Sequence, residues 1–253
     1  MPRPKTYNTE GVVLKHMRLG EADRIITLYT PDRGKVRAVV KGARRAKSRK
    51  GGFLQPLTHV RVSIAEGRSL DQVVEAETVA SFRAVREDLG LVSTGMYLAD
   101  LVDGFSADGA VNPHEFRLLV DALGVLESTE RPEQLARYFE TRMLGVAGFG
   151  PELRQCVDCG EELSPGDHAF SCASGGLVGP GCRSRTDGAL IHVSMNAIKV
   201  LRFFQAVDFP QALDLPLTER LIQDLRRVLE NYITYVLERE PRSAEFMHLV
   251  SSG

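Results

Sequence analysis

All four cysteines of the chain fall within 27 residues. Cys156-Val157-Asp158-Cys159 has the two-residue gap that lets two thiolates reach one metal ion while amides of the tight turn hydrogen-bond to sulfur, and Gly160 relieves the backbone there. Twelve residues separate Cys159 from Cys172, and nine separate Cys172 from Cys182. Thiolates are donors that Zn²⁺ prefers, and a small glycine-rich lobe needs a staple. The expectation is one structural Zn²⁺ held by Cys156, Cys159, Cys172 and Cys182, with His168 in reserve for Cys172. Four sulfurs leave no open coordination position, so such an ion holds shape and takes no part in chemistry. A redox pair, disulfides and inert buried thiols are the alternatives. A redox Cys-x-x-Cys normally opens a helix in a βαβ unit, and no such unit is legible here. The second half of the cluster is irregular, because Gly179 stands where a ribbon's third cysteine usually falls.

A second constellation could bind phosphate. Net charge is only −1, but residues 1–80 carry 16 Lys and Arg against 8 Asp and Glu, while the remaining 173 carry 16 against 25. Between Lys35 and Lys50 stand Lys35, Arg37, Lys41, Arg44, Arg45, Lys47, Arg49 and Lys50, with no acidic residue among them. From Lys41 to Gly52 the run is too rich in glycine and charge for a buried element and suits an exposed loop that meets a polyanion through salt-sensitive phosphate contacts. An isolated charge run is more often a solvated face; the charge density and the neighbouring strands argue against that here. The candidate DNA-binding residues are Lys15, Arg18, Lys35, Arg37, Lys41, Arg44, Arg45, Lys47, Arg49, Lys50 and Arg61. The nearby rings are Tyr7, Tyr29, Phe53 and His59, and Tyr29 reads as core. Backbone electrostatics should therefore outweigh base stacking, allowing both single- and double-stranded DNA.

Short strands must carry these cations. Gly11–His16, Arg24–Thr30, Lys35–Val40, His59–Ile64 and Gln72–Ala80 alternate or run apolar, with Pro31-Asp32-Arg33-Gly34 as a turn. Five short strands in about 75 residues suit an OB-fold barrel, a signature shared with SH3-like barrels. After Ala80 the apolar period lengthens to that of helices: around Phe82–Phe105, from Pro113 with Asn112 as cap, around Pro132–Leu144, Ser194–Ala206 and Thr218–Glu238. Their stripes read as core. The expected architecture is α+β and multi-domain: an OB-fold over 1–80, an α-helical domain over 81–147 and 189–253, and a four-cysteine zinc-finger insertion over 148–188.

Of 253 residues, 43% are hydrophobic and 26% charged, which is ordinary for a globular protein. No run is apolar enough for a membrane span, and the first residues do not read as a signal peptide, so a cytoplasmic location is expected. No Gly-x-x-x-x-Gly-Lys-Ser/Thr, His-Glu-x-x-His or Gly-x-Ser-x-Gly occurs, which favours a binding protein over an enzyme.

Thr9-Glu10-Gly11-Val12-Val13-Leu14, Gly20-Glu21-Ala22-Asp23-Arg24, Lys41-Gly42-Ala43-Arg44-Arg45, Lys47-Ser48 and Leu54-Gln55-Pro56-Leu57 resemble the N-terminal domain of the bacterial RecO family. Phe139-Glu140, Leu144, Gly148, Pro151, Leu153, Cys156-x-x-Cys159-Gly160, Phe170 and Gly175-Gly176-Leu177 continue that resemblance. Gly179 departs from it, since relatives with a full zinc motif carry cysteine there. The resemblance implies a recombination mediator acting without ATP in the RecF pathway. It would bind and anneal DNA, associate with RecR and with the tail of single-stranded DNA-binding protein, and help load RecA. It also implies a nucleoid-associated location. An OB-fold and zinc-ribbon factor acting on RNA in translation or transcription is the rival that barrel and cysteines alone would permit.

Overall fold

Branched apolar residues at alternate positions produce five strands: β1 (Thr6–Leu19), β2 (Asp23–Thr30), β3 (Gly34–Val40), β4 (His59–Ala65) and β5 (Asp71–Ala80). In the computed structural model, which describes residues 5–45 and 48–251, they close a barrel in the order β1-β2-β3-β5-β4. β1 pairs antiparallel with β4 to complete the ring, and the β3–β5 contact is parallel. This is the OB-type barrel expected, with a short helix α1 (Arg49–Phe53) between β3 and β4. Val13, Ile26, Leu28, Ala38, Val62 and Ile64 fill the interior. Each of the Val, Leu and Ile side chains removed from water contributes roughly 1.5–3 kcal/mol.

Alternation fails in β1, where Val12, Val13 and Leu14 are all buried. A bulge between Val13 and Lys15 accounts for part of this. Covering of the outer face accounts for the rest: helices α3 (Leu89–Phe105) and α4 (Pro113–Leu126) pack on β1, and α4 also meets β2. The Tyr29 hydroxyl, from β2, donates to the buried Glu115 carboxylate of α4, and Ser106 donates to the same group at 2.7 Å. At the β2–β3 turn Gly34 has φ 62°, and a Cβ there would stand 2.1 Å from the Ala110 carbonyl oxygen. Only glycine admits both conditions.

The continuous helix expected around Phe82–Phe105 is broken. Asp88 is extended, separating α2 (Arg83–Glu87) from α3, and its side chain accepts from Leu91 N–H at 2.8 Å to cap the second segment. The remaining helices are α5 (Pro132–Val146), α6 (Met195–Ala206), α7 (Phe209–Asp214), α8 (Glu219–Leu237) and α9 (Ala244–Ser251). Two compact units result. The first holds the chain through Thr129 together with residues from Arg242 onward; the second is Glu130–Pro241. In the first, α9 returns to α3, where Ser243 N–H and Oγ both donate to Asp100 at 3.1 Å.

In the second unit, α5 packs against α6, α7 and α8. A buried Arg137 there is matched by Glu140 at 2.7 Å and Glu230 at 3.3 Å. The cysteine segment forms its own three-stranded sheet, order β7-β6-β8, from β6 (His168–Ser171), β7 (Gly176–Val178) and β8 (Leu190–Val193). Among the described residues no helix is long and apolar enough to cross a membrane.

Candidate nucleic-acid interface and cysteine cluster

The register of the barrel sorts the candidate cations. Lys15 of β1 stands opposite Thr27 of β2, which stands opposite Arg37 of β3, so a row crosses three strands on their outer face. With Met17, Ile25, Lys35, Asp103 and Asp108 this row lines a hollow of about 260 Å³. Its cations are not all free to meet a phosphate. Lys15 Nζ is paired with the Asp103 carboxylate. Lys35 Nζ donates to the Asp103 carbonyl at 2.9 Å and lies 3.7 Å from its carboxylate and 3.5 Å from that of Asp108. Arg37 is exposed.

Lys41, Arg44 and Arg45 are exposed in the loop after β3. Arg44 donates to the Gly20 and Glu21 carbonyls at 3.1 and 2.9 Å, and Gly42 N–H donates to Asp23 at 2.8 Å. These bonds lash the basic loop to the β1–β2 turn, and carbonyl partners leave the guanidinium charge uncancelled. Arg18 stands across from Arg24 at that end of the strands. Lys50 and Arg61 line a different groove, with Phe53 and Val74, between α1 and the β4–β5 strands; Arg61 is paired there with Glu77. Lys47 and the side chain of Arg49 lie outside the described residues. The candidates thus divide among a sheet face, a loop and a second groove.

Of the four rings considered for stacking, Tyr29 is wholly buried and His59 is 7% exposed. Tyr7 is half-buried, donates to Asp71 at 2.7 Å and lies under the Arg33 guanidinium. Phe53, 40% exposed, is the ring that a base could reach. The Asp103 and Asp108 partners had no signal in the sequence, since they lie some seventy to ninety positions from the lysines they meet.

The cysteine cluster differs from expectation in one member. The sulfurs of Cys156, Cys159 and Cys182 lie within 4.8 Å of one another, and Cys172 is not among them. The cause is topological. β6 and β7 form an antiparallel hairpin in which Ser171 faces Gly176 and Ala169 faces Val178. Cys172 sits in the turn at one end, whereas Gly179 and Cys182 follow from the other. It lines a hollow with Phe149, Tyr232 and Tyr235 instead. His168, the reserve, has Nε2 2.9 Å from the Ser164 carbonyl and is also outside the group.

Burial would raise the Cys156 thiol, but N–H groups of Gly179, Cys159 and Asp158 favour its thiolate and hold it at about 7. At Cys182 the Arg185 hydrogen bond, 3.1 Å, lowers the pKa but is outweighed by Asp158 and the neighbouring thiols, which leave it at about 11. Tetrahedral zinc with sulfur at about 2.3 Å requires sulfurs roughly 3.8 Å apart. The donor chemistry and spacing of these three residues fit three such corners. Ala169, Val178 and Leu163 pack beside Cys156 and Cys182, which lie in the lobe's small core, while Cys159 is exposed.

An OB-type barrel carrying a basic loop, followed by helices with a cysteine cluster, defines an α+β class of modular architecture. Comparison with known proteins narrows it. The family model described as Recombination protein O N terminal matches residues 3–82, and that described as Recombination protein O C terminal matches residues 86–245. Proteins named DNA repair protein RecO are similar along nearly the whole length. The one from Dehalococcoides mccartyi is 34% identical over 251 residues, covering 99% of this chain and 98% of its own. That from Symbiobacterium thermophilum is 34% identical, covering 98% of each. That from Bifidobacterium adolescentis is 37% identical, covering 95% of this chain and 98% of its own. The chain belongs to the RecO family.

Proposed function

We propose that this protein binds DNA in recombinational repair, acting as a mediator and strand-annealing factor that works by binding and not by cleavage. The observation that carries the reading is the basic loop of Lys41, Arg44 and Arg45, bonded to the β1–β2 turn of an OB-type barrel, in a chain similar from end to end to DNA repair proteins. Each phosphate neutralised by such a loop releases counterions, so binding is strong at low salt and tolerant of sequence. Annealing requires two strands to be drawn together with their bases left free to pair. A surface of cations with Phe53 as its exposed ring suits that, where a row of stacking aromatics would sequester the bases.

On this reading the partners are single- and double-stranded DNA, RecR, and the tail of single-stranded DNA-binding protein. RecA benefits indirectly when strands are handed to it, and the work takes place in the cytoplasm at the nucleoid. Zn²⁺ is the ion proposed for Cys156, Cys159 and Cys182. When bound it supplies a cross-link within the lobe, while the three thiolates orient the turns that carry them.

The deciding experiment is annealing of complementary strands coated with single-stranded DNA-binding protein. Lys41→Glu combined with Arg45→Glu is the appropriate variant, because Arg44 also ties the loop in place. At least a tenfold loss of annealing with unchanged thermal stability is expected, on the scale of a few lost phosphate contacts. Full annealing by that variant, or preference for RNA over single-stranded DNA in competition, would overturn the reading.

A further inference from the structure

Two tight turns deliver the clustered thiols, the first closed by a bond from the fourth residue on and the second from the third. In the first, Gly160 N–H returns to the Cys156 carbonyl at 2.8 Å; in the second, Cys182 N–H returns to that of Gly179 at 3.0 Å. The first turn brings two thiols, Cys156 and Cys159. The second, Gly179-Pro180-Gly181-Cys182, brings one only at its end. Gly179 nevertheless faces the cluster: its N–H donates to Cys156 Sγ at 3.3 Å, and a Cβ on it would lie 3.8 Å from that sulfur. The backbone does not require glycine here, since φ −66° and ψ 157° are open to any residue. Leu163 Cδ2, 3.2 Å from such a Cβ, is the near neighbour.

No described His, Cys, Asp or Glu joins the three thiols as a fourth donor within the same reach. Arg185 stands beside them, 3.1 Å from Cys182 Sγ and 3.6 Å from Asp158 Oδ2, and supplies positive charge against the thiolates. Cys159 is exposed, so the cluster has a side open to solvent.

We propose that this chain holds its metal ion through three protein thiolates alone, and that the fourth coordination position takes an exchangeable small donor from solution, of the low-molecular-weight thiol class. The inference rests on the metal reading above. Three thiolates and one divalent cation sum to −1, a fourth, anionic thiolate brings the sum to −2, and Arg185, placed between Cys182 and Asp158, is a nearby cation that attenuates that charge. Soft sulfur donors match an ion already chosen by sulfur. The exchange is a substitution without redox change: a water leaves, the thiol's sulfur binds, and its proton passes to solvent. A site with an open position differs in kind from a closed structural one, because its occupant responds to the medium.

The test is Co²⁺ substitution in the full chain, read by the sulfur-to-cobalt charge-transfer absorption, with 2-mercaptoethanol as the added thiol. Wild type is expected to gain about one third in that band on titration, the change from three sulfurs to four. Gly179→Cys should show the higher intensity at once and lose the response, while Cys172→Ser should behave as wild type. A wild-type band indifferent to the thiol and diminished by Cys172→Ser overturns the inference and restores Cys172 as ligand. Failure to bind cobalt at all overturns the metal reading and this inference together. The wild-type titration decides even if Gly179→Cys folds poorly.

Discussion

Asp103 holds Lys15 and Lys35, two of the cations that the sequence marks as candidates for nucleic acid. Its carboxylate pairs with Lys15 and lies 3.7 Å from Lys35, whose ammonium also bonds the Asp103 carbonyl. Asp103 and Lys35 are half-buried and Lys15 is more exposed, so the Lys15 pair contributes at most about 1 kcal/mol to stability. Its effect on a polyanion is larger, because each lysine returned to solution can displace a phosphate counterion. Asp103→Asn should therefore tighten single-stranded DNA binding by roughly three- to tenfold near 0.1 M salt and steepen the log–log salt slope by up to about two. Fluorescence anisotropy across a salt series reads both quantities. Equal affinity and equal slope would show that this sheet face stays clear of the DNA. At the same scale, Cys156 and Cys159 were legible from spacing alone, since a two-residue gap permits little besides a shared centre. Cys172 was not, because the hairpin between β6 and β7 decides which end of the strands a residue occupies, and a linear distance carries no such information.

Among elements, the barrel strands were the most legible, their period of two surviving in β3 and β4 where one face is wet. β1 and β2 departed from it where α3 and α4 cover the outer side, and the partners responsible, Tyr29 and Glu115, are 86 positions apart. The short α7 and α9 gave no periodic signal long enough to separate from a loop. Burial within the barrel has a consequence for pH. His16 is lowered chiefly by desolvation and then by Arg24; His59 is lowered chiefly by desolvation, against the opposing pull of Glu10. In both the unfolded chain binds the proton more readily, so stability is full above about pH 6.5 and is lost as pH falls through the unfolded value towards the folded one. The melting temperature should decline between about pH 7 and 5, and His16→Gln should flatten that decline. A decline identical in the variant would exclude His16 as its source.

For the whole molecule, the opposite charges of the two sequence regions were visible at once. The packing units were not. The first includes α2, α3 and α4 along with the barrel, and it is finished by residues from Arg242 onward. Ser243 and Met247 belong to that closing piece: the former bonds Asp100, and the latter is buried. Removal of residues 242–253 should accordingly lower the urea midpoint of the barrel unit and speed exchange of α3 amides, while the metal proposed for Glu130–Pro241 is retained. Unchanged α3 exchange in the shortened chain would dismiss this role for α9.

The same feature sets an order of events during synthesis. Because α9 leaves the ribosome after Glu130–Pro241, the barrel unit is the first to be begun and the last to be complete, and the part of α3 that α9 covers waits for its partner while that whole stretch is translated. The second unit has every residue it needs before the first does.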